Sequence, residues 1–192
     1  MLEAILVLDK SGSMNSIWES TVDAVVNVVK ELQGLGEEVK FTLTLFDTNY
    51  CIVYNGKPIK ELTEEQLRKL PQPSGWTALY DSLGRTIDEV GTRLANTPQD
   101  QRPDNVRVII LTDGQENSST EYSLERVKGM VQHQTERYNW KFMYVGAGLG
   151  DAQTAQASRD INILSSVDVS HDSKGMSNYS QAGICFYSGG RN

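Results

Sequence analysis

What most constrains this chain is a series of short apolar runs, each separated from the next by a stretch with helical periodicity. Ala4-Ile5-Leu6-Val7-Leu8 has no polar position at all. A strand with one wet face alternates apolar and polar residues, so an unbroken run means cover on both faces. Phe41 to Phe46, Val106 to Leu111 and Phe142 to Val145 are read as further strands. Between them lie helical stripes: Val22, Val25, Val26, Val29 and Leu32, then Leu79, Leu83, Ile87, Val90 and Leu94, then Leu124, Val127 and Val131. Strand and helix in alternation predict an α/β fold, doubly wound and Rossmann-like, with a mostly parallel central sheet and helices on both faces.

Finer expectations follow from local punctuation. Cys51 to Tyr54 is expected to return beside Phe41 to Phe46 as one antiparallel edge strand, closed at its far end by Asn55-Gly56. Leu62 to Leu70 should hold one or two helical turns. Pro71, Pro73 and Gly75 make a rigid loop leading to Trp76 and Thr77. A short helix is expected near Ala152 to Ala157 and a strand at Ile161 to Leu164. From Ser166 the chain turns polar, with one helix near Ser177 to Tyr187. There is no internal repeat or linker, and residues 1–192 are expected to form a single domain with its core in about 2–165.

The chain has 192 residues, enough to bury roughly 70% of its unfolded surface around one core. Its 18 Lys and Arg against 25 Asp and Glu give a net charge of -7. No basic cluster exists to displace counterions, which argues against nucleic acid and an anionic membrane as partners. No apolar stretch reaches the ~18 residues of a membrane span. Cys51 and Cys185 are read as two reduced thiols, and the amino terminus enters a strand with no basic region before it. Both features give a cytoplasmic protein as the expectation.

Ligands of an open parallel sheet bind beyond the carboxyl ends of its strands. The first strand ends there in Asp9-Lys10-Ser11-Gly12-Ser13, and the strand Val106 to Leu111 ends in Thr112-Asp113-Gly114. Thr77 arrives at the mouth of its helix. Asp9, Ser11, Ser13, Thr77 and Asp113 are all hard oxygen donors, a set suited to Mg2+, with Mn2+ or Ca2+ as alternatives. Two carboxylates just neutralise the ion, so it stays electrophilic towards one more anionic oxygen. That oxygen is expected to come from an exposed Asp or Glu of a partner protein.

Asp9-Lys10-Ser11-Gly12-Ser13, followed by Thr77 and Thr112-Asp113-Gly114 in the right order, resembles the Asp-x-Ser-x-Ser pattern of von Willebrand factor A-type domains. The resemblance runs from Leu2 to about Leu164 and is closest to stand-alone bacterial and phage members. It implies a metal-ion-dependent adhesion site in which Ser11, Ser13 and Thr77 touch the metal and Asp9 and Asp113 bind it directly or through water. It also implies protein binding and no enzymatic activity.

Other readings stand beside this one. Asp9 could serve as nucleophile of a Mg2+-dependent phosphohydrolase, although neither His133 nor His171 falls in the strand-end motifs to act as base. Gly146-Ala147-Gly148-Leu149-Gly150 lies between a strand and a helix as a nucleotide loop would, with spacing unlike Gly-x-Gly-x-x-Gly. In a third reading a metal only braces the loops. Lys10 is expected to be solvated, Asp47 to open an Asx-turn or reach the rim, and Asp81 to orient the site or favour the helix start. Glu116 and Asn117 are read either as residues at the mouth that shape partner choice or as plain loop residues. Trp76 is read either as a partner anchor or as core.

Overall fold

β1 (Leu2–Asp9) lies at the heart of the sheet because neither of its faces meets water: all eight residues are buried. Successive side chains point to opposite faces. Leu2, Ala4, Leu6 and Leu8 therefore pack in one layer and Ile5 and Val7 in the other. The computed structural model describes residues 1–190. Beside β1 run β2 (Val39–Phe46), β3 (Tyr50–Pro58), β4 (Asn105–Thr112), β5 (Lys141–Ala147) and β6 (Ser165–Val169), in the order β3-β2-β1-β4-β5-β6. Every neighbouring pair is parallel except β2 and β3.

One face is covered by α1 (Trp18–Gln33) and α6 (Ser173–Ser188), with the short α2 (Glu64–Arg68) beside them. The other carries α3 (Leu79–Asn96), α4 (Leu124–Tyr138) and α5 (Asp151–Asp160). The apolar stripe of α3 is what docks it. Leu79, Leu83, Ile87 and Val90 are each 3% exposed or less, and burying such a side chain contributes about 1.5–3 kcal/mol. No helix among the described residues is long and apolar enough to cross a membrane. Cys51 and Cys185 are free and exposed.

Two local expectations are corrected. Asn55-Gly56 does not end β3, which continues to Pro58, and the hairpin connection lies at Asp47 to Asn49 instead. Phe41 pairs with Lys57 and Leu43 with Tyr54, so Asn55 and Gly56 together face Thr42 as a bulge. Gly56 adopts φ 66° there and donates its N–H to Thr42 Oγ1 at 2.9 Å. The strand expected at Ile161 to Leu164 is a turn. Ile161 and Ile163 are buried against the end of α5, Asn162 is left-handed at φ 62°, and Ile163 N–H donates to Ser158 C=O at 2.8 Å. Leu164 is 93% exposed. Burial of those isoleucines comes from packing under a helix, not from pairing in a ladder. The polar segment after them forms β6 and α6, whose Met176, Tyr179 and Tyr187 pack in the first layer. Asn192 and the residue before it lie outside the described residues.

Candidate functional site

The chain leaves β1 for β2 on one side and later returns to β4 on the other, so a crevice opens between the carboxyl ends of β1 and β4. Asp9 ends β1 and Asp113 follows β4 directly. Asp9 is fully buried. Its Oδ1 accepts the Ser11 N–H at 2.7 Å and its Oδ2 accepts the Thr112 hydroxyl at 2.6 Å. Burial pushes its pKa up to about 6; the bonds from Thr112 and Ser11 oppose that rise and the nearby charge of Asp113 adds to it.

The hydroxyls continue the network outward. Ser11 Oγ lies 3.2 Å from Ser13 Oγ, and the exposed Ser13 donates to Asp113 Oδ1 at 2.7 Å. Thr77 is buried just before the first turn of α3. A Cβ placed on Gly114 would come within 3.0 Å of Thr77 Oγ1, so the glycine after Asp113 is what lets that hydroxyl in. The structure thus brings Asp9, Ser11, Ser13 and Asp113 into one hydrogen-bonded group and sets Thr77 against the residue next to Asp113.

Backbone bonds lock the loops that carry these groups. Gly12 N–H donates to Gly75 C=O at 3.1 Å, Ser74 N–H to Lys10 C=O at 2.8 Å, and Ala78 N–H to Asp47 C=O at 3.0 Å. Lys10, expected in solvent, is instead paired with Asp47 and half-buried. Asp47 does two jobs, opening the Asx-turn through Asn49 N–H at 2.7 Å and accepting the Ser74 hydroxyl at 2.9 Å. Burial alone would raise its pKa, but Lys10, the Asn49 N–H and Ser74 together hold it below the usual carboxylate value. Trp76 is 68% exposed, which removes it from the core and places its ring at the rim.

The supporting role of three residues was open in the sequence. Asn117 Oδ1 accepts the Thr77 N–H at 3.0 Å, and Thr77 C=O accepts the Asn117 N–H at 3.1 Å. Glu116 accepts the Tyr80 N–H at 2.9 Å, so it caps α3 from another loop where a local N-cap side chain is missing. Asp81 accepts the N–H groups of Thr120, Glu121 and Tyr122, each at 2.8 Å. It holds the loop before α4 and so supports the site from behind. A fourth residue, His171, places Nε2 2.8 Å from Asp113 Oδ2. Nothing in the sequence near His171 marks it, because its partner lies 58 positions away.

Among the described residues no three His, Cys, Asp or Glu side chains surround one point. A cation held here therefore depends on the hydroxyls. Two carboxylates, no Lys or Arg paired with either among the described residues, the two neighbouring hydroxyls of Ser11 and Ser13, and Thr77 beside Gly114 are the oxygen donors a small hard dication takes.

The same geometry speaks against the competing chemistries. Asp9 is enclosed with both oxygens engaged, a poor nucleophile for a phosphate ester. In the Gly146 to Gly150 turn, the Gly150 N–H donates to Asp168 Oδ1 at 3.1 Å and Thr154 donates to the same oxygen at 2.7 Å. A carboxylate already sits where a nucleotide phosphate would have to be received.

Comparison with known proteins agrees with this architecture. No curated protein is matched. Solved structures similar to the chain include the PilB minor pilin of Streptococcus sanguinis, with 12% identity, a TM-score of 0.66, and 100% of this chain and 63% of that one covered. The pilus adhesin SpaC of Lactobacillus rhamnosus GG gives 17% identity and a TM-score of 0.69 over 97% of this chain and 31% of that one. The von Willebrand factor domain of the type V pili tip protein Mfa5 of Porphyromonas gingivalis gives 12%, 0.67, and 94% of each. At these identities the likeness is one of fold, and the chain spans less than two thirds of the pilin and the adhesin. A family profile described as von Willebrand factor type A domain matches residues 4–177. With that match over a doubly wound sheet of this order, the chain belongs to the von Willebrand factor type A domain family.

Proposed function

We propose that the chain is a metal-dependent protein-binding module that presents Mg2+, or in its place Mn2+ or Ca2+, to an acidic residue of a partner protein. The observation that carries this reading is the convergence of Asp9, Ser11, Ser13 and Asp113 in one hydrogen-bonded group with Thr77 beside it. Ser11, Ser13 and Thr77 would hold the ion with Asp113, and Asp9, fully buried behind Ser11 and Thr112, would act through water. When bound, the ion supplies a Lewis-acidic point at the rim. Ser13 and Trp76 are exposed, and tryptophan is among the residues enriched in interface hot spots. A pilus adhesin and a pili tip protein among the similar folds favour the same reading.

Calorimetric titration of the metal-stripped chain with MgCl2 tests the first half: wild type should bind, and Asp113→Ala should not. Heat-silent, non-binding wild type ends the proposal. For the second half, proteins retained from an extract of the source cells should be lost on chelation and by a Ser11→Ala, Ser13→Ala double variant. Retention indifferent to both would leave the module without its metal-dependent role.

A further inference from the structure

His171 stands in the loop between β6 and α6, and its imidazole is set against the candidate metal site by structure on both sides. On one side, Asp172 caps α6: its Oδ1 accepts the Gly175 N–H at 2.7 Å and the Ser170 hydroxyl at 2.7 Å, which fixes the backbone flanking His171. On the other, Gly148 at φ 76° passes so close that an added Cβ would lie 2.7 Å from the His171 Cβ. Gly148 N–H also donates to Val169 C=O at 2.7 Å, tying the loop after β5 to the end of β6. The ring is therefore delivered to Asp113 by a rigid frame, and with 32% side-chain exposure it does not wave in solvent.

The contact it makes divides the two oxygens of Asp113. Ser13 donates to Oδ1 at 2.7 Å, whereas His171 Nε2 lies 2.8 Å from Oδ2. Two cis ligands of an octahedral ion with ~2.1 Å bonds stand about 3.0 Å apart. Nε2 and Oδ2 already have that separation, as do the hydroxyls of Ser11 and Ser13 at 3.2 Å. Asp9 lies behind, engaged by Ser11 and Thr112, so the front of the site is made of three hydroxyls, one carboxylate and one imidazole.

We infer that His171 is a nitrogen ligand of the metal site, and that it tips the site from Mg2+ towards first-row transition ions. This rests on the metal reading given under Proposed function. Mg2+ keeps to oxygen ligands, while a neutral imidazole raises affinity for Mn2+, Co2+ and Zn2+ in increasing order of their taste for nitrogen. Ser11, Ser13, Thr77, Asp113 and His171 then supply five donors, and the sixth position passes from the water through which Asp9 acts to a partner's acid when one binds.

The test uses the full chain, metal-stripped, titrated separately with MgCl2, MnCl2 and CoCl2, together with electron spin-echo spectra of the Mn2+-loaded protein. Wild type should show nitrogen coupling from imidazole, and His171→Gln should lose it, with Co2+ affinity falling at least about tenfold and Mg2+ affinity unchanged. His133→Gln should alter neither. An all-oxygen spectrum with equal Co2+ affinity in wild type and His171→Gln overturns the inference and leaves the metal site standing. The inference is equally overturned if His171→Gln keeps wild-type behaviour and only His171→Ala weakens every ion, because His171 would then be a hydrogen-bond donor to Asp113. If wild type binds none of the three ions, the inference and the metal reading fall together.

Discussion

Glu116 reaches from the loop after β4 to accept the backbone N–H of Tyr80 in the first turn of α3, at 2.9 Å. The same carboxylate accepts the N–H groups of Ser118 and Ser119, at 2.9 and 2.7 Å, and the Ser119 hydroxyl at 2.7 Å. One side chain thus joins the loop that carries Asp113 to the first turn of the helix that Thr77 leads into.

Glu116→Ala should accordingly destabilise the fold by about 1–3 kcal/mol, the usual cost of leaving partly buried donors without a partner. Glu116→Gln retains an acceptor and should lose less. Urea unfolding of the three proteins gives the order directly; an alanine variant as stable as wild type would contradict the bridging role.

A second prediction concerns Glu3, which is fully buried in β1 and accepts from Arg93 and the Thr42 hydroxyl, both at 2.7 Å. Arg93→Ala strands a carboxylate in the core and should cost about 3–5 kcal/mol. Replacing both residues, as in Glu3→Leu with Arg93→Leu, should recover most of that loss. The comparison of single and double variants by chemical denaturation separates a paired charge from mere packing.

Helix propensity and packing pull in opposite directions at Gly84 in the middle of α3. Alanine there would ordinarily favour the helix by about 1 kcal/mol. Its Cβ would, however, meet the Tyr122 ring at 2.2 Å, and that ring is held by the Asp88 carboxylate at 2.7 Å and by Arg126 stacked 4.1 Å from its centroid. Gly84→Ala should therefore be destabilising, by about 1–3 kcal/mol. Added to Tyr122→Ala it should cost almost nothing, or help. A thermal melt showing Gly84→Ala above wild type would mean that Tyr122 moves aside freely.

The Asp47 carboxyl, held below its unfolded value of 3.8, sets a pH window. A lowered native pKa means the ionised form is the one favoured by folding, so its contribution is complete above the unfolded value and fades as pH falls through the native one. The stability difference between wild type and Asp47→Asn should be flat from neutrality down to about pH 5 and shrink below about pH 4. A difference that grew on acidification would have the wrong sign for the Lys10 pair.

Metal should also appear in the melting curve. An ion that binds only the folded chain stabilises it by about 2.7 kcal/mol at a hundredfold excess over its dissociation constant. Wild type should melt higher with MgCl2 than with chelator, and Asp113→Ala should melt at one temperature in both. Equal curves for wild type at millimolar cation would count against the proposed site.

How far the sequence spoke depended on where each signal was stored. β1, β2, β4 and β5 are legible because burial on two faces leaves a local apolar record, as in Ala4 to Leu8. β6 leaves almost none: Ser165 and Ser166 are exposed, and only Val169 is fully buried. The strong apolar pair Ile161 and Ile163 instead records packing under α5. The bulge in β3 is likewise invisible, since Asn55-Gly56 signals a turn equally well. At the site, Asp9, Ser11, Ser13, Thr77 and Asp113 lie in compact motifs at strand and helix ends. Lys10, Glu116 and His171 take their meaning from partners 37, 36 and 58 positions away, a relation that only folding creates.

The bulge at Asn55-Gly56 has an effect on how copies of the chain meet one another. An outer strand with its ladder groups free is a template on which another chain can polymerise. β3 is interrupted by the bulge and then carries Lys57 and Pro58, while β6 on the far flank is only five residues long. Neither flank offers a straight, continuous row of donors and acceptors, so the protein is guarded against fibrous stacking, and recognition of other molecules is left to side chains and loops.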